Sequence, residues 1–172
     1  AYVGRAKEVH AVEVAREAGQ CPCAVSEEVA AVYDALQGKF GALNAKDIVL
    51  GSTIYANKPG DGSAREQAAS CQRVLGGAAN LAREYATKRY RSNLINWGML
   101  PFLAPSAEDF QVGDYLFLPQ VRDRVRDGAP TQASIVRGGK IVGEVSLSLG
   151  ALTDDERQIL LDGCLINFYR KH

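Results

Sequence analysis

The stretch Gly60 to Gly77, G-D-G-S-A-R-E-Q-A-A-S-C-Q-R-V-L-G-G, constrains the fold more than any other, because a glycine-rich turn and a helix start directly follow an apolar run. That run, Ile48-Val49-Leu50, reads as a strand, and Asn57-Lys58-Pro59 leads from it into the turn. Ser63 and Glu66 fit the Ser-x-x-Glu capping box, which puts Ser63 at the N-cap with its side-chain oxygen facing otherwise unpaired backbone N–H groups. Ala64, Ala68, Cys71 and Leu75 recur at helical spacing and predict one apolar stripe, leaving Arg65, Gln72 and Arg73 off it. Gly76-Gly77 ends the helix.

Such a turn has chemical potential. Gly60 and Gly62 let the backbone approach a ligand closely, and a helix start presents N–H donors and the positive end of its dipole, so an anion is the natural guest. Arg65 adds a permanently charged planar fork suited to a carboxylate or phosphate. Beside it, the Ser63 hydroxyl is the one nearby group able to take or give a proton. The plainer reading is a helix that merely satisfies its own end. Spacing alone leaves both open.

The order of motifs separates them. Gly60-Asp61-Gly62-Ser63-Ala64-Arg65-Glu66-Gln67-Ala68-Ala69 resembles the G-x-G-S-S-R-E-H-A-A signature of the mobile C-terminal "swivel" domain of the aconitase superfamily. Leu75-Gly76-Gly77, Arg91-Ser92-Asn93-Leu94 and Trp97-Gly98-Met99-Leu100-Pro101 follow in order, like the family's H-R-x-N-L-x-x-x-G-L-L-P. The resemblance covers residues 48 to about 103, is looser from Asp114 onward, and finds no motif in residues 1–45. Two positions depart from it: Ala64 replaces the usual second serine and Gln67 the usual histidine. The family's other swivel-domain arginine, on an upstream loop, has no identifiable counterpart.

At 172 residues the chain is one domain's worth of sequence. Twenty basic and twenty acidic residues cancel, which gives no support for non-specific nucleic-acid or anionic-membrane binding. No apolar stretch approaches the roughly 18 residues of a membrane span, and the first residues carry no signal-peptide pattern, so a cytoplasmic location is the default expectation. The chain starts at Ala1, and the resemblance favours a piece of a longer protein. Of four cysteines, Cys21 and Cys23 flank Pro22 in a loop without metal-site spacing, while Cys71 and Cys164 read as small buried hydrophobes on helical faces.

Residues 5–18 predict a helix closed by Gly19, and a second helix starts near Ser26 with Val29, Val32, Tyr33, Leu36 and Phe40 on one face. Residues 1–45 are thus read as a helical lead-in or linker, and 46–172 as the swivel domain. Residues 78–82 predict a short strand, 86–97 a helix with the basic run Lys88, Arg89, Arg91, and 99–103 a buried strand. A solvated helix face is the ordinary meaning of that run, and a phosphate site the alternative. Strands are then predicted over 115–118, 132–137 and 140–149, the last two joined by the tight turn Gly138-Gly139. Thr153 and Glu156 form another capping box, followed by helical segments carrying Ile159, Leu160, Cys164 and Phe168.

These elements give an α/β fold, and the resemblance implies a swivelling β/β/α sandwich-like domain with a mixed sheet and flanking helices. It also implies reversible dehydration and hydration of a hydroxy-polycarboxylic acid. By that resemblance Ser63 is the catalytic base, Arg65 binds a substrate carboxylate, and Gly62 and Ala64 complete the substrate-binding turn. The implied cofactor is a [4Fe-4S] cluster held by another domain or subunit, with no metal ligand in this chain. The implied partners are cluster-binding domains upstream in the same chain, the preferred reading, or a separate large subunit like that of isopropylmalate isomerase. Small subunits of that kind open with a G-D-N-x-D-T-D-like stretch that is absent here. A third reading is an anion-binding or regulatory module in which Ser63 only caps a helix.

Overall fold

Two three-stranded sheets divide the chain between them. The computed structural model describes residues 2–20, 24–105 and 110–172, so the Cys21-Pro22-Cys23 loop lies outside the described residues. The first sheet is parallel, in the order β1 (Ser52–Ala56), β2 (Gly77–Ala82), β3 (Leu100–Leu103). Parallel neighbours need crossovers, supplied by α3 (Arg65–Val74) and α4 (Lys88–Asn96). The second sheet is antiparallel, in the order β4 (Tyr115–Phe117), β5 (Thr131–Arg137), β6 (Lys140–Leu147), and a single bridge between Leu103 and Ser148 links the two. This is the mixed α/β arrangement that the sequence predicts.

Beneath α3 and α4 lies a small core of Ala69, Tyr90, Leu94 and Met99, whereas the main core joins Leu81, Ile95 and Phe102 to Ala133, Val145 and Leu147 from the second sheet. That main core is closed by α5 (Val121–Asp127) and α6 (Asp154–Asp162), and α7 (Leu165–Lys171) follows. At the start of the chain, α1 (Tyr2–Glu17) and α2 (Glu27–Phe40) pack together through Val12, Val29 and Tyr33. Val32 and Leu36 of α2 then sit on Val136 of β5.

Several local predictions hold. The Gly138-Gly139 turn takes φ of 55° and 71°, the positive pair that a two-residue hairpin of matching twist requires. Thr153 caps α6 in a full capping box, its hydroxyl accepting from Glu156 N while Glu156 Oε2 accepts from Thr153 N. Ser26 caps α2.

Three expectations are corrected. Ile48-Val49-Leu50 is not a strand: Ile48 and Leu50 pack on the α1–α2 cluster, and the Leu50 N–H donates to Glu13 Oε1 (3.0 Å). The chain enters the sheet only after Gly51, where a Cβ would stand 2.3 Å from that of Ala78. On α3, Ala64, Ala68 and Cys71 are exposed, and the packed side is set by Ala69, which is fully buried. The reason is tertiary: α3 rests on Tyr90 and Met99, a partner that heptad-like spacing does not encode. Cys71 is therefore no buried hydrophobe, and Cys164, at the N-cap of α7, is only half-buried.

Candidate active site

The turn before α3 is laced to the start of α4. Pro59 O accepts from Ala86 N (2.9 Å), Asn57 O accepts from Glu84 N (3.1 Å), and Lys58 pairs with Glu84 (2.8 Å). At its centre the Gly60 carbonyl accepts from Arg65 Nε (3.0 Å) and from Thr87 Oγ1 (3.2 Å). The same Thr87 hydroxyl caps α4 by accepting from Tyr90 N (3.3 Å), so one side chain starts the helix and fixes the turn. Gly60 is required here on two counts: its φ is 97°, and a Cβ would lie 2.5 Å from that of Tyr90.

Tyr90 is the buttress. It is buried, and its hydroxyl accepts from Gln72 Nε2 of α3 (2.9 Å) and Asn80 Nδ2 of β2 (2.8 Å). A helix, a strand and the glycine turn therefore meet on one phenol ring. Tyr85 adds a second, its hydroxyl reaching the carbonyls of Asn80 and Phe102 (both 3.2 Å), and burial pushes that phenol's pKa far above its ordinary value.

Ser63 does not cap α3. The N-cap is Ala64, at φ −84° and ψ 47°, and no side chain bonds to the helix start. Glu66, the other half of the expected box, instead accepts from the indole N–H of Trp97 (3.0 Å). Arg65 reaches back to the carbonyls of Gly60 and Asp61 rather than standing free, and this holds the turn in its bend. A tertiary partner for the acid and a backbone partner for the arginine thus displace the local motif. Gly62 has open space around the position of a Cβ, so packing does not demand a glycine there.

What remains is a shallow cleft of about 410 Å³ between α3 and α4, lined by Ser63, Arg65, Glu66, Lys88, Arg89, Ser92 and Asn93. Ser63 is exposed, and among the described residues its hydroxyl has no hydrogen-bond partner. The structure brings Ser63 and Arg65 together with Lys88 and Arg89, which the sequence left as a separate basic run. It removes Arg91 from that run: this guanidinium donates to the carbonyls of Leu149 (2.7 Å) and Ala151 (2.9 Å). Sequence reasoning missed Thr87 and Tyr90. A threonine three residues before Tyr90 at a helix start was the signal for the first, but nothing local marks a buried tyrosine as the floor of a turn 30 residues upstream.

Among the described residues, no group of three His, Cys, Asp or Glu side chains is placed to hold a metal ion. Nor is any described helix long and apolar enough to cross a membrane.

A parallel β-α-β-α-β unit carrying a serine–arginine turn on its first crossover helix defines a class, and residues 23–107 match the family model of the aconitase C-terminal domain. Over that segment the chain is similar to the swivel domain of the aconitase superfamily. Among curated proteins it is similar to the homoaconitase small subunit of Thermus thermophilus, with 28% identity over 129 residues, covering 74% of this chain and 70% of that one. The whole cleft lies inside the segment that the family model matches.

Proposed function

We propose that this chain is the swivel component of a hydro-lyase that reversibly dehydrates and hydrates a hydroxy-polycarboxylic acid. One observation carries the reading: an uncommitted serine hydroxyl shares a cleft with an arginine inside the segment matched by the family model. Ser63 is the base that removes a proton from substrate carbon. Arg65, which keeps part of its fork beyond the two carbonyls it holds, receives a substrate carboxylate. Gly62 and Ala64 are the substrate-facing backbone of the turn, with Ala64 leaving room where the family's second serine would stand.

The positive environment of Arg65, Lys88 and Arg89 and the uncapped start of α3 favour an ionised serine. In this reading a [4Fe-4S] cluster, which would supply Lewis acidity, is held by another component; among the described residues no group of three His, Cys, Asp or Glu side chains is placed to hold a metal ion. Similarity to a protein named a small subunit favours a separate large subunit over upstream domains of one chain. Residues 1–45 are the lead-in, with α2 seated on the second sheet, and a cytoplasmic location accompanies this reading.

Iron and sulfide analysis after anaerobic reconstitution tests this. The chain alone is expected to stay colourless and inactive toward aconitate-type acids, and to support turnover when joined to a cluster-bearing large subunit. A stoichiometric cluster on the isolated chain would overturn the division of labour.

A further inference from the structure

We infer that Lys88 and Arg89 bind a second anionic group of the substrate, so that the cleft selects acids whose carboxylates reach both Arg65 and the start of α4. This rests on the carboxylate-binding role proposed for Arg65. Lys88, Arg89, Ser92 and Asn93 recur at positions i, i+1, i+4 and i+5 of one helix face and line the cleft that Ser63 and Arg65 line from α3.

Two features make this pair unusual. Among the described residues neither Lys88 nor Arg89 has a hydrogen-bonding or ion-pair partner, and the one acid on the cleft, Glu66, is engaged by Trp97. Three cations against the one Glu66 carboxylate leave the cleft net positive in a chain that is neutral as a whole. Lys88 and Arg89 are also the first two residues of α4, where the helix dipole disfavours positive charge, and the first turn contains no acid. Mutual repulsion of the three cations and the helix dipole both oppose this placement, and a bound anion would relieve both. Arg91 shows that α4 can commit a cation to structure when that is its role, since it is spent on two carbonyls. The Ser92 hydroxyl and Asn93 amide, also without partners among the described residues, place neutral hydrogen-bonding groups beside the two charges.

The test is a titration of the 172-residue chain at low salt with tricarballylate and with acetate, read by backbone amide shifts and by thermal unfolding, for wild type, Lys88→Gln, Arg89→Gln and Arg65→Gln. Tricarballylate is expected to shift amides in both 62–65 and 88–93. Each of Lys88→Gln and Arg89→Gln is expected to weaken it about three- to fivefold, leave acetate unaffected, and raise the melting temperature of the ligand-free chain. Unchanged tricarballylate affinity in both α4 variants would overturn the inference while leaving Arg65 its role. Loss of affinity in the α4 variants but none in Arg65→Gln would overturn the reading of Arg65 on which the inference stands. Absence of any binding to the wild-type chain would also overturn it.

Discussion

The Gly60 carbonyl gathers Arg65 and Thr87 while its α-carbon rests against the Tyr90 ring, so the geometry of the serine–arginine turn depends on a position with no side chain. Gly60→Ala combines a positive φ with a backbone-proximal clash, and we expect it to cost about 1–3 kcal/mol in urea unfolding. Tyr90→Phe keeps the ring but strands the Gln72 and Asn80 amide donors, which predicts a loss of about 1–3 kcal/mol by the same measurement. A third residue couples the fold to pH. Asp114 accepts from both Nε and a terminal nitrogen of Arg137 (2.7 and 2.8 Å), and that hydrogen-bonded guanidinium holds its carboxyl below the usual carboxylate range. Because its folded pKa lies below the unfolded one, its contribution is fully present above the unfolded value of about 3.9 and is lost as pH falls through the folded value. The stability gap between wild type and Asp114→Asn should therefore shrink between pH 7 and pH 3.

At the scale of elements, two Ser/Thr-x-x-Glu sequences in one chain have opposite fates. Thr153 caps α6, so Thr153→Ala should lower stability by about 1 kcal/mol, whereas Ser63 caps nothing and Ser63→Ala should stay within about 0.5 kcal/mol of wild type. Equal losses in chemical unfolding would contradict the assignment. The contrast also marks what sequence can reveal. The Gly138-Gly139 hairpin, the Thr153 box and the strands β2 and β3 were legible because each is specified by residues adjacent in the chain. The Ser63 box, the packed face of α3 and the entry into β1 were not, because Trp97, Tyr90 with Met99, and Glu13 decide them from other elements. The serine–arginine pair was legible as a motif, but the joining of Lys88 and Arg89 to it needed the packing of α4 on α3.

For the whole molecule, the parallel unit carries the cleft, while the antiparallel sheet backs it through the shared core and receives α2. The cleft is shallow and lies between α3 and α4, its lining residues Ser63, Lys88 and Arg89 exposed. In the assembled enzyme proposed for this chain, Arg65→Lys should raise KM more than it lowers kcat, since a point charge replaces a planar fork. The most direct measurement is the turnover of Ser63→Ala in the assembled, cluster-loaded enzyme. Because Ser63 makes no cap, the substitution leaves the fold intact and reports on chemistry alone. The account predicts normal folding and cluster content, with kcat reduced about 10²- to 10⁴-fold; turnover near the wild-type rate would contradict it.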